Sequence, residues 1–167
     1  TVKGLKKDHI TYKGFIFFGL IKVDNEPFVI EYNVRMGDPE TEVVIPRIKS
    51  DLLALFKAVS EGNLKAAPFE KDTKSAVTVV MVSGGYPGDY GKGYKITGAG
   101  NTPESIVFHA GTTLKNQDIL TNGGRVLAIT SLGKTMQECL QKSYNSMQNI
   151  KFEKAYYRRD IGLDLQK

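Results

Sequence analysis

Glu31 and Asn33 lie two residues apart in the stretch Phe28-Val-Ile-Glu-Tyr-Asn-Val-Arg-Met-Gly-Asp-Pro-Glu40. The stretch begins as an alternating strand, with Phe28, Ile30 and Tyr32 on one face and Val29, Glu31 and Asn33 on the other. Residues two apart on a strand are roughly 6.5 Å apart and point the same way, so a carboxylate and an amide oxygen project side by side. If Arg35 continues the extended run, its guanidinium joins them. Gly37-Asp38-Pro39-Glu40 then breaks the strand with turn residues that also carry charge. An acid, a neutral oxygen donor and a cation at a strand end suit Mg²⁺ and phosphate, because hard cations take oxygen ligands. The same alternation equally describes the solvated side of an antiparallel sheet. Spacing alone does not separate the two readings.

Other candidates resolve against chemistry. Gly133-Lys134-Thr135 resembles the end of a phosphate-binding loop, but the motif needs glycine where Ala128 stands, and residues 128–132 read as strand. His9 and His109 have no second His or Cys at ligand spacing, which argues against zinc. His109, at a strand end, reads as a hydrogen-bonded structural residue or a pocket wall. Ser83 lacks a nucleophile-elbow context, so no Ser-His-Asp arrangement can be argued. The glycine-rich loop over residues 84–93 has no dinucleotide-binding spacing. It reads as a long turn whose N–H groups are also suited to wrapping a phosphate.

The chain of 167 residues is long enough for one medium domain or two small ones with a real core. Its hydrophobic (41%) and charged (25%) fractions are those of an ordinary globular protein. No apolar run approaches the ~20 residues of a membrane span, so no membrane association is expected. A net charge of +5 comes from scattered Lys and Arg, with no basic, aromatic-interleaved stripe, and nucleic acid is not an expected partner. The single cysteine, Cys139, excludes an internal disulfide framework and fits a reducing compartment; within a helical pattern it reads as core. The chain begins at Thr1 and not Met, which suggests a fragment.

The elements that position the motif follow in order. Residues 1–8 read as the tail of a helix. A hairpin comes next, residues 12–23 and 28–34 around an Asp-Asn-Glu-Pro turn. Its first strand is apolar on both faces, so it is expected to be central and covered on both sides. Residues 41–48 are helical up to Pro46. Ser50 is expected to cap a helix over residues 51–60, with Gly62 beyond its end. Residues 63–74, polar and containing Pro68, mark a boundary. A β-branched strand over residues 75–83 follows, then short strands around residues 94–96, 105–109 and 125–130, which suggest a small sheet or barrel-like sandwich. Thr135-Met-Gln-Glu138 is a capping box opening a helix to about residue 149, with Met136, Leu140, Tyr144 and Met147 as its buried stripe. The fold class is α+β.

The run Glu31-Tyr-Asn-Val-Arg-Met-Gly-Asp-Pro-Glu-Thr-Glu42 closely resembles the signature of the phosphoribosylamine–glycine ligase (glycinamide ribonucleotide synthetase) family, within the ATP-grasp superfamily. The resemblance continues collinearly through Tyr12-Lys-Gly14, Lys49-Ser-Asp-Leu52, Gly84-Gly-Tyr-Pro-Gly-Asp89, Val107-Phe-His-Ala-Gly-Thr112, Gly123-Gly-Arg-Val126 and Tyr157-Arg-Arg-Asp-Ile-Gly162. Met36 departs mildly, standing where the family usually has Phe or Leu.

The resemblance implies the C-terminal part of such an enzyme: the end of an ATP-grasp core over residues 1–66, a linker over 67–74 and a small C-terminal domain over 75–167. The implied reaction is cytoplasmic, in purine biosynthesis. It joins glycine to 5-phosphoribosylamine through an acyl phosphate, with ATP as substrate and ADP and phosphate as products. By the match, Glu31 and Asn33 would hold Mg²⁺ (or Mn²⁺), Arg35 would serve the transferring phosphoryl group, and Asp38 and Glu40 would face the substrates. A monomer is expected, and the fragment alone is expected to be inactive. The alternative is a free-standing nucleotide- or nucleic-acid-binding module of related fold.

Overall fold

A computed structural model describes residues 1–165. The chain forms two compact units, one of residues 1–41 and 48–72, the other of residues 42–47 and the chain from Thr73 onward.

In the first unit, α1 (Val2–Lys7) precedes a two-stranded antiparallel hairpin of β1 (Phe17–Val23) and β2 (Glu26–Asn33). Asp24 and Asn25 turn the chain, both at positive φ (48° and 71°), a conformation that Asn and Asp tolerate better than most residues. The hairpin differs from expectation. β1 pairs only with β2, and Leu20, Ile21, Phe28 and Ile30 are exposed. An apolar strand reports surfaces suited to burial, and among the described residues of the first unit nothing covers both faces of β1.

After α2 (Thr41–Val44) and a short 3₁₀ turn (Ile45–Arg47), the helix α3 (Leu52–Glu61) follows. Its cap is Asp51, whose Oδ1 accepts from the Ala54 N–H at 2.7 Å, and Gly62 closes it at φ 73°. The Ser50 hydroxyl instead accepts from the Glu70 N–H at 2.6 Å. Ser50 is therefore committed to the returning chain, and the next residue caps the helix. Residues near Glu70 lie along the first unit, where the Lys49 N–H donates to the Glu70 carbonyl and Ile48 bridges to Lys71.

The second unit is built on a four-stranded antiparallel sheet in the order β4 (Ile106–His109), β7 (Arg125–Gly133), β3 (Ser75–Ser83), β8 (Ala155–Tyr156). β7 lies between two partners, and Val126, Leu127 and Ile129 are fully buried. The helix α4 (Met136–Asn149) starts where the capping signal indicates: the Thr135 hydroxyl accepts from the Glu138 N–H at 3.1 Å. The reciprocal bond differs, since the Glu138 carboxylate accepts from the Lys134 N–H at 2.7 Å. Leu140 and Met147 join Val79, Met81 and Phe152 in one core cluster, with Met136 and Tyr144 partly buried against it. Cys139 is fully buried, as a core residue.

Sequence patterning overlooks a second hairpin, β5 (Thr112–Lys115) and β6 (Asp118–Thr121), joined by Asn116 and Gln117 at positive φ. The expected strand over residues 94–96 amounts to a single bridge between Lys95 and Leu120. Among the described residues, no helix is long and apolar enough to cross a membrane.

Candidate metal and phosphoryl site

β2 places Glu31 and Asn33 on one face, and the Asn33 amide nitrogen donates to Glu31 Oε1 at 2.8 Å. The side chains are therefore adjacent, with Asn33 half-buried and Glu31 exposed. The hairpin register puts Gly19 opposite Glu31 and Phe17 opposite Asn33. A Cβ at Gly19 would lie 2.9 Å from Glu31 Cγ, closer than real Cβ contacts, so the bare glycine leaves the room that the Glu31 side chain occupies. A β-bulge follows immediately, between Gly19 and Leu20. Gly19 is a positioning residue that the motif does not reveal, because its role appears only once the register is known.

Arg35 does not join this pair along a continuing strand. β2 ends at Asn33, the chain bends at Val34 and Arg35, and the Arg35 guanidinium donates to the Met36 carbonyl at 3.0 Å. The Gly37–Thr41 turn is closed by both the N–H and the hydroxyl of Thr41 donating to the Gly37 carbonyl, at 3.0 and 2.6 Å. Within it the Glu40 carboxylate folds back over Gly37, beside the edge of the Phe17 ring; any Cβ at Gly37 would collide with both. Glu40 is thus brought toward the end of the hairpin that carries Asn33. Asp38 is exposed on the same turn.

Two adjacent hard oxygen donors, open to solvent on one side, fit a Mg²⁺ ion that completes its shell with water and phosphate oxygens. Among the described residues, no three His, Cys, Asp or Glu side chains come together as a metal cluster. Two other candidates, His109 and the 84–93 loop, lie in the second unit. His109 is exposed and its Nδ1 sits 3.2 Å from the Thr112 hydroxyl, which makes it a turn-bracing residue. The 84–93 loop is mostly exposed, with Tyr86 and Tyr90 in edge contact, their centroids 6.0 Å apart.

Known proteins place this arrangement in context. Residues 76–164 match the family described as phosphoribosylglycinamide synthetase, C domain, and residues 1–41 match its ATP-grasp (A) domain. A phosphoribosylamine–glycine ligase of Caldanaerobacter subterraneus is 44% identical over 96% of this chain and 39% of its own length. The human trifunctional purine biosynthetic protein adenosine-3 is 42% identical over 97% of this chain and 16% of its own. The solved phosphoribosylamine–glycine ligase of Thermotoga maritima superposes with a TM-score of 0.83 at 37% identity, covering 95% of this chain and 39% of that one. The chain thus spans about two-fifths of the length of the single-function relatives it matches. With an α+β fold that follows the solved ligase and a C-domain match over more than half its length, this chain belongs to the phosphoribosylglycinamide synthetase family.

Proposed function

We propose that this chain forms part of a cytoplasmic, monomeric ATP-dependent ligase that joins glycine to 5-phosphoribosylamine, giving glycinamide ribonucleotide, ADP and phosphate. Its first unit contributes the closing portion of the ATP-grasp domain and its second unit the C domain. The observation that carries the reading is the Glu31–Asn33 pair, held at 2.8 Å on one strand face with glycine opposite.

Glu31 and Asn33 would hold Mg²⁺ or Mn²⁺ through one carboxylate and one amide oxygen. When bound, such an ion neutralises phosphate charge on ATP. Catalysis of phosphoryl transfer is chiefly positioning and charge neutralisation, and the surrounding residues have roles of that kind. Arg35 lies two residues beyond Asn33, and its guanidinium needs only to leave the Met36 carbonyl to offer a planar fork to the transferring phosphoryl group. Glu40, folded over Gly37, and Asp38 on the same exposed turn would face the amine and carboxylate substrates. Neither nucleic acid nor a membrane is required by this chemistry.

The test uses Mn²⁺ as a paramagnetic probe of the 167-residue chain, with Glu31→Gln as the variant. Mn²⁺ is expected to broaden the Asn33 side-chain amide resonance first, and Glu31→Gln to raise the concentration needed at least tenfold. In the complete ligase the same substitution should lower kcat strongly while leaving the fold intact. Broadening centred away from residues 31–33, or unchanged activity, removes Glu31 from the metal site.

A further inference from the structure

Beyond the metal site, the second unit contains a cleft of about 750 Å³ between the C-terminal half of α4 and the chain that leaves it. Its volume lies within the range of small-molecule sites. The lining is graded in polarity. The floor is apolar and buried, formed by Met81 from β3, Met147 from α4, and Ile150 and Phe152 just beyond the helix. The wall is aromatic: the Tyr144 and Tyr157 rings lie 6.0 Å apart, tilted by 31°. The Tyr144 hydroxyl donates to the Arg158 carbonyl at 3.0 Å, which fixes the ring against the backbone.

The rim is cationic. Lys151, Lys154 and Arg159 all line the cleft, and among the described residues no Asp or Glu does. The neighbouring Arg158 is held by Asp160 in a two-pronged pair, Nε to Oδ1 at 2.9 Å and the terminal nitrogen to Oδ2 at 2.8 Å. That pair engages Asp160. Arg159 instead lies over the Tyr157 ring, 5.8 Å from its centroid, a cation–π arrangement. Lys154 is carried to the rim by a turn closed by the Ala155 N–H on the Phe152 carbonyl, and its own φ is 57°. Residues other than glycine rarely adopt that conformation.

We propose that this cleft binds a phosphorylated aromatic ligand of mononucleotide size, the ring against the Tyr144–Tyr157 wall above the methionine floor and the phosphate among Lys151, Lys154 and Arg159. Tyrosine side chains offer a planar ring the stacking contact that bases take from aromatic residues, and the buried methionine methyls below them lie close enough to report it. Three cations, with no acid lining the cleft among the described residues, suit the negative charge of a phosphate monoester, and a guanidinium suits its oxygens. Neither a bare phosphate nor an uncharged nucleoside uses both halves of the lining.

The chain's four methionines make the test direct. Met81 and Met147 line the cleft, Met36 follows the metal motif, and Met136 packs near Gly162. With ¹³C-methyl methionine in the 167-residue chain, adenosine 5′-monophosphate is expected to shift Met81 and Met147 and to leave Met36 unmoved. Ribose 5-phosphate and adenosine should each bind at least tenfold more weakly. Lys154→Ala combined with Arg159→Ala should weaken the nucleotide at least tenfold without altering thermal unfolding. Unmoved Met81 and Met147 at millimolar nucleotide, movement of Met36 alone, or a double variant that binds as tightly each overturns the proposal. Failure here leaves the Mn²⁺ test at Glu31 untouched.

Discussion

Gly19 and Glu31 face each other across the hairpin, and the Glu31 side chain lies where a Cβ on residue 19 would be. Gly19→Ala should therefore move Glu31 to another rotamer while keeping the backbone pairing. The expected result is at least a tenfold rise in the Mn²⁺ concentration needed to broaden the Asn33 amide, with little change in thermal unfolding. Unchanged Mn²⁺ behaviour would separate Gly19 from the site.

The face carrying Glu31 is open to solvent, whereas an acyl phosphate must be kept from water to reach an amine. The purified 167-residue chain is expected to turn over no ATP in the presence of glycine and phosphoribosylamine. Release of phosphate above background in a coupled assay would contradict this.

Four serines form a hydroxyl chain in the second unit: Ser146 to Ser105 at 2.7 Å, Ser105 to Ser131 at 2.7 Å, and Ser131 to Ser143 at 2.8 Å. Ser131 is the link between Ser105 and Ser143, and it is fully buried. Ser131→Ala removes one partner from each neighbour, but Ser105 keeps Ser146 and Ser143 keeps the Ile129 carbonyl, so the cost is that of the lost hydrogen bonds, about 0.5–1.5 kcal/mol each. Urea unfolding should register a loss of that order.

The Glu138 carboxyl is held below its ordinary value by its hydrogen bond from Lys142, at 2.7 Å, and then by the Lys134 N–H. A carboxyl lowered in the folded state stabilises the protein above its unfolded value, near 4.5, and loses that contribution as pH falls through the folded value. Lys142 is raised by the same hydrogen bond, so its share persists below about 10.5 and fades as pH rises past its folded value. Glu138→Gln should flatten the acid limb of a stability–pH profile measured between pH 5 and pH 2, values spanning that window. An identical limb would show that the pair contributes nothing there.

Burial pushes the Cys139 thiol up, with the Glu138 charge adding to it, and the sulfur donates to the Ser75 carbonyl at 3.3 Å. Native protein should resist alkylation at pH 7.5 and react fully in urea, because the thiolate is the reactive form. Rapid labelling of the native chain would count against a closed core at α4.

Local signals were readable where one segment decided the outcome. Thr135 and Glu138 mark the start of α4 without help from elsewhere, and the alternation around Glu31 puts it on the Asn33 face. Where two neighbours could serve, a distant residue chose: Ser50 and Asp51 are both competent caps, and Glu70 claimed Ser50. The β5–β6 hairpin is missed because Asn116 and Gln117 turn the chain without a glycine to announce it. Apolarity on both faces of β1 reads as a covered strand, but it reports what the strand suits, and among the described residues β2 is its one strand partner. The cleft was invisible for the reason that hides most pockets: Met81, Tyr144 and Arg159 meet only in the folded chain.

The hairpin has one more consequence, for how the protein behaves in a tube. Among the described residues, β1 and β2 each keep one edge without a strand partner, and their side chains include exposed Phe18, Leu20, Phe28 and Ile30. Unpaired N–H and C=O groups flanked by apolar side chains are a template for another extended chain. Concentration, more than temperature, should therefore set the limit of the soluble state, and a lysine placed at position 30 should raise it.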